Sequence, residues 1–126
     1  MLTQNEPNHC RTIFDENITS EDEALEKHVK TFLDMLILAM LNGKSTYGYH
    51  IIAAIHREFG ILLSPASLYP LLHSLENGKL IESTNEKGKT VYRLTQKGKE
   101  TFGKKFMAYN LSIQIMKNFI KNYERI

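Results

Sequence analysis

Phe102, Phe106, Tyr109, Ile113, Met116, Ile120 and Tyr123 follow one another at spacings of 4, 3, 4, 3, 4 and 3 residues. Three heptads of an a/d seam without an error call for one long helix. Thr95 can cap it, and the pattern runs to about Glu124. Leu111, Ile115 and Phe119 add a second stripe at spacing four. A lone helix cannot bury two apolar stripes, so the spacing predicts a partner helix from a second copy of the chain. Gly98 and Gly103 weaken the first turns by up to ~1 kcal/mol each relative to Ala. They allow either a close contact or a bend.

Before this helix the apolar periods are shorter. Ser20-Glu-Asp-Glu23 has the spacing of a capping box, with acids suited to a helix start. Leu25, Val29, Phe32, Leu33, Leu36, Ile37 and Met40 continue as one helical face, which Asn42-Gly43 ends. A second helix is expected from Ser45 or Thr46 to Gly60, burying Gly48, Ile51, Ile52, Ile55 and Phe59. Ile61-Leu62-Leu63 is too short for a helix and is compatible with a small strand. Ser64-Pro65 starts a third helix, a good N-cap followed by proline at the first helical position. Leu68, Leu71, Leu72 and Leu75 face inward, Pro70 is expected to tighten or bend it, and Asn77-Gly78 closes it. Two strands, 80–84 and 90–94, then flank a lysine-bearing loop at 85–89 in which Gly88 supplies a positive backbone angle.

The expected fold is mainly α with a small β-hairpin: a winged helix-turn-helix followed by a long C-terminal dimerisation helix. Residues 1–20 read as a mobile tail, 21–95 as the winged-helix domain and 96–126 as the dimerisation helix. The 126 residues leave room for one domain and some extra helix.

Four stretches then resemble one family. They are Leu36-Ile-Leu-Ala-Met-Leu-Asn-Gly43; Tyr47-Gly-Tyr49 with Ile51; Leu68-Tyr-Pro-Leu-Leu72 with Leu75, Glu76 and Gly78; and Tyr92-Arg-Leu-Thr-Gln-Lys-Gly98. In this order and spacing the chain resembles the PadR-like transcriptional regulators, over about residues 33–102. The single C-terminal helix is similar to the short branch of that family. The resemblance implies a winged-helix DNA-binding protein, a repressor, dimerising through its C-terminal helix.

Charge agrees with a polyanionic partner. Residues 1–34 carry three Lys/Arg against eight acids, a net of −5, and the remainder thirteen against six, a net of +7. Residues 79–105 alone hold eight Lys/Arg against three acids, where a winged helix meets DNA. On the third helix the candidates for groove contact are Ser64, Ala66, Ser67, Tyr69 and His73, small or hydroxyl-bearing at the helix start. For Tyr69 the alternative is packing against the second helix. Lys44 and Tyr47 are candidates for phosphate contact at the start of that helix, whereas Tyr49 is compatible with the core. Lys87, Lys89 and Arg93 are the wing candidates. The dimer interface is assigned to Leu25, Val29 and the seam from Phe102 to Tyr123. A small apolar effector could occupy the groove between paired last helices, lined by Phe102, Phe106, Met107, Tyr109 and Met116, although a filled dimer core is the alternative. The operator should be double-stranded and an inverted repeat, matching a two-fold dimer. A protein-interaction module with an incidental basic wing remains the competing reading.

Enzyme chemistry finds no constellation. Cys10 and His9 sit in the tail without a positioned base, and Ser64 and Ser67 lack the glycine pattern of a nucleophile elbow. His28, His50, His56 and His73 show no i, i+4 ligand pair, and no glycine-rich phosphate loop occurs. No cofactor or metal is expected. The longest apolar run, Met35 to Leu41, is far short of the roughly 20 residues of a membrane span. The N-terminus lacks the features of a secretory signal, and one cysteine forms no internal disulfide, so a cytoplasmic location is expected.

Overall fold

The computed structural model describes residues 21–124, in the order α1 (Glu21–Thr31), α2 (Leu33–Gly43), β1 (Thr46–Tyr47), α3 (Gly48–Phe59), α4 (Pro65–Asn77), β2 (Ile81–Glu86), β3 (Lys89–Leu94) and α5 (Gln96–Asn122). The tail at 1–20, with Cys10 and the capping role of Ser20, lies outside the described residues. The chain divides into two compact units with the boundary between Leu33 and Asp34.

In the first unit α1 carries Glu21, Asp22 and Glu23 in its first turn, where acids suit the positive helix end. Glu26 and Lys30 pair across one turn at 3.0 Å. The single helix expected through Gly43 is interrupted at Phe32. The Thr31 hydroxyl donates to the Lys27 carbonyl at 2.8 Å. Such back-bonding competes with the helical ladder locally.

The second unit is a small core under a wing. Ile37 and Leu38 from α2, Ile51 and Ile55 from α3, and Leu68 and Leu72 from α4 are all at most 2% exposed. Ile61 and Leu63 are buried while Leu62 points out. This segment alternates as a strand would but has no ladder partner, so the small strand considered for 61–63 does not form. α4 starts as its sequence dictates. Ser64 is extended at φ −80°, its side chain accepts from the Ser67 amide, and Pro65 follows at the first helical position. Pro70 sits inside the helix, which nevertheless continues to Asn77.

The sheet has three strands, not two, in the order β1-β3-β2, all antiparallel. Thr46 and Tyr47, expected as the first helical residues, instead pair with Tyr92 and Val91, and α3 begins at Gly48. The wing is also tighter than the five-residue loop expected. Glu86 pairs with Lys89, leaving Lys87 and Gly88 as a two-residue turn, both at positive φ (54° and 81°). That is the signature of a type I′ hairpin, whose twist matches the flanking strands. Asn85 Oδ1 accepts from the Gly88 amide at 3.2 Å. No helix of the described residues is long and apolar enough to cross a membrane.

Candidate nucleic-acid interface

The start of α4 offers Ser64, Ala66 and Ser67 to solvent, and His73 lies exposed further along the same helix. The Ser64 hydroxyl donates to Ser67 Oγ at 3.1 Å while also capping the helix, so one of these two hydroxyls already has a task. Tyr69 does two things at once. It remains 43% exposed, yet its ring and hydroxyl lie directly against Gly48 at the start of α3. A Cβ at position 48 would come within 2.7 Å of Tyr69 Cζ, so the absence of a side chain there is what seats the ring.

Around that contact the chain builds a cleft of about 620 Å³, lined by Tyr47, Gly48, Tyr49, Tyr69, Lys89, Thr90 and Tyr92. It unites three of the residues singled out in sequence, Tyr47, Tyr69 and Lys89, from three different elements. Lys89 Nζ stands 4.6 Å over the Tyr47 ring, a cation–π contact that ties the wing to the start of α3. Tyr49, read as compatible with the core, is 72% exposed. Within α3, Gly48, Ile51 and Ile55 take the buried face, and position 49, about 100° or more around the helix from each, faces outward. Tyr49 and Thr90 are thus accessible polar groups that sequence reasoning missed.

A second hollow, of about 430 Å³, brings together Lys44, Tyr47 and Arg93 with His50 and Glu86. His50 Nδ1 lies 2.9 Å from Thr46 Oγ1. Arg93 Nη2 is 3.6 Å from Glu86 Oε2, so part of its charge is answered within the chain. Lys87 sits apart from both hollows, exposed at the tip of the turn. Ser64, Ala66, Ser67 and His73 line neither and belong to the exposed side of α4.

Tyr92 is the buried floor of the aromatic cleft, at 8% exposed. Burial first, and then the neighbouring Tyr69 and Glu76, push its hydroxyl above the ordinary 10.0. Because the folded state holds the proton more tightly than the unfolded one, this contribution to stability is complete below pH 10 and is lost as pH rises beyond it. We expect thermal unfolding of the wild-type chain to show this alkaline loss and Tyr92→Phe to lack that part of it.

Gly48→Ala should cost about 1–3 kcal/mol, since a methyl group overpacks the Tyr69 contact. Gly43→Ala is the control, because nothing lies within 4 Å of a Cβ there. Thermal unfolding should show a loss of several degrees for the first and none for the second.

Of the dimer-interface candidates before α5, Val29 is 5% exposed in the single chain and Leu25 40%. On α5, Phe106, Met116, Ile120 and Tyr123 are 46–72% exposed, while Phe102, Tyr109 and Ile113 are half-buried. The second stripe, Leu111, Ile115 and Phe119, is 58–60% exposed.

Comparison with known proteins follows this geometry. The structure is similar to a PadR-like transcriptional regulator from Bacillus cereus (TM-score 0.68, 24% identity, 75% of this chain and 96% of that one). It is similar to a transcriptional regulator from Clostridium thermocellum (TM-score 0.66, 24% identity, 75% and 98%). It is also similar to a PadR family transcription regulator from Clostridium difficile (TM-score 0.64, 26% identity, 71% and 98%). No curated protein sequence matches the chain. The family model described as the transcriptional regulator PadR-like family matches residues 37–104, more than half of the chain, from the middle of α2 through the wing into α5. With the winged-helix fold and the wing in place, the chain belongs to the PadR-like family of transcriptional regulators.

Proposed function

We propose that the chain binds double-stranded DNA sequence-specifically as a homodimer and represses transcription from the site it occupies. The observation that carries this reading is the convergence of Tyr47, Tyr69 and Lys89 at one cleft, beside the exposed start of α4. In a winged helix α4 is the element that enters the major groove, α3 crosses the backbone, and wing cations neutralise phosphates. Ser67 and Tyr69 are the base-reading candidates. Lys44, Tyr47, Lys87 and Lys89 serve the phosphates, with Arg93 contributing the share of its charge that Glu86 leaves. The exposed apolar residues of the α5 seam, Phe106, Met116 and Ile120, support pairing of two chains, and a two-fold dimer asks for an inverted repeat with half-sites about one or two helical turns apart, roughly 10 or 20 base pairs.

The test is a mobility shift with the DNA upstream of the chain's own reading frame, followed by selection from random duplexes. An inverted-repeat consensus, with transcription from that promoter falling when the protein is added, is the expected result. A consensus with a single asymmetric element, or no retention of any duplex, overturns it.

A further inference from the structure

Between the end of α4 and the start of the wing the chain turns at Gly78, Lys79 and Leu80, with Lys79 in the left-handed region at φ 65°. All three carbonyls of this turn are taken by the first residues of α5. Lys97 Nζ donates to the Gly78 carbonyl at 3.1 Å. The Thr95 hydroxyl lies 2.7 Å from the Lys79 carbonyl and 3.0 Å from that of Leu80. The Thr95 amide donates to the Leu80 carbonyl as well, at 3.0 Å. The same hydroxyl accepts from the Gly98 amide at 2.9 Å and so caps α5. Gly98 is buried against this turn. A Cβ there would run into the Leu80 carbonyl oxygen and come within 2.8 Å of Leu94 Cδ1. One threonine hydroxyl therefore both starts α5 and fastens it to the turn that leads out of α4.

On the reading of this chain as a two-fold DNA binder, we infer that Thr95 and Gly98 are positioning residues that set which half-site spacing the dimer accepts. α5 fixes the two chains to each other and α4 reads each half-site. The angle between α5 and α4 then decides how far apart and in what rotation the two reading helices stand. Inserting two base pairs rotates one half-site by about 70° relative to the other. A clamped junction cannot follow that rotation, and a loosened one can. Neither residue needs to touch DNA for this.

The test uses the full chain in two measurements. The first needs no DNA. Spin labels at Ser74→Cys on α4 and Asn110→Cys on α5, in a Cys10→Ser background diluted with unlabelled chain, report the intrachain distance. The wild-type junction gives one narrow distribution. Thr95→Val, which keeps the shape and loses the hydroxyl, broadens it, and Thr95→Ser restores it. Lys97→Met, a surface change that leaves the core alone, broadens it less. The second measurement is binding to operators whose spacer is lengthened or shortened by up to two base pairs. Loss of the hydroxyl's bonds in both protomers lowers the preference for the best spacer by about tenfold, while half-site sequence preference is kept. A Thr95→Val chain with a narrow distance distribution overturns the clamp. A broadened distribution with unchanged spacer preference overturns its role in spacing. A wild-type chain that selects no inverted repeat overturns the DNA reading itself, and the spacing role falls with it.

Discussion

Deleting residues 105–126 should leave a chain that sediments as a monomer or aggregates, where the intact chain sediments as a dimer at micromolar concentration. Eight large apolar side chains on α5, from Phe106 to Tyr123, are 46–73% exposed in the single chain. Covering them in both chains yields on the order of 20 kcal/mol gross, taking ~1.5–3 kcal/mol for each side chain buried fully. Association costs about 4–15 kcal/mol, so a stable dimer is within reach. The deletion also removes the Lys105–Asp34 ion pair, 3.5 Å long and partly exposed on both sides. Such a pair contributes at most about 1 kcal/mol and cannot by itself change the oligomeric state. Met116→Asp with Ile120→Asp tests the seam without shortening the chain, since both are more than half exposed in the single chain and each places an unpaired carboxylate where a partner helix would pack. Both variants should lose the dimer. A well-folded monomer of the intact chain at micromolar concentration refutes the pairing.

What was legible in this sequence was whatever local chemistry decides. Ser64-Pro65 and Thr95 announce helix starts by their side chains alone, and both cap as expected. The buried faces of α3 and α4 follow from spacing. What was hidden depends on residues far apart in the chain. Thr46 and Tyr47 are a strand only because Tyr92 and Val91 arrive opposite them, and no local period signals a two-residue strand. Tyr49 is a separate case: the buried face of Gly48, Ile51 and Ile55 that spacing gives already leaves position 49 outside it. The tight turn was hidden for a related reason: Lys87 adopts a positive φ that lysine does not advertise, held by the strand twist on either side. By sequence alone Gly98 allows either a close contact or a bend. The Leu80 carbonyl decides for the contact, whereas nothing lies within 4 Å of a Cβ at Gly103.

The wing and the reading helix should fail differently when altered. Lys87 stands exposed at the turn with φ 54°, so Lys87→Asn removes the charge while keeping a residue that tolerates that conformation. If Lys87 neutralises one phosphate in each protomer, its loss lowers the slope of log K against log salt by about two per dimer. Affinity for operator and for random duplex should then fall together, by about tenfold near physiological salt. Lys89→Ala is a compound change, because it also releases the Tyr47 ring that Lys89 covers at 4.6 Å. Its effect should exceed that of Lys87→Asn without further change in the slope. Tyr69→Phe is the opposite probe. The ring stays seated against Gly48 and only the hydroxyl goes, so the salt slope should hold. A lost hydrogen bond of about 1 kcal/mol in each protomer lowers the ratio of operator to random binding by roughly tenfold to thirtyfold. Binding of both duplexes across a salt series reads all three variants. An unchanged slope for Lys87→Asn, together with an unchanged ratio for Tyr69→Phe, would move the DNA surface away from the cleft. Other exposed lysines would then have to carry it.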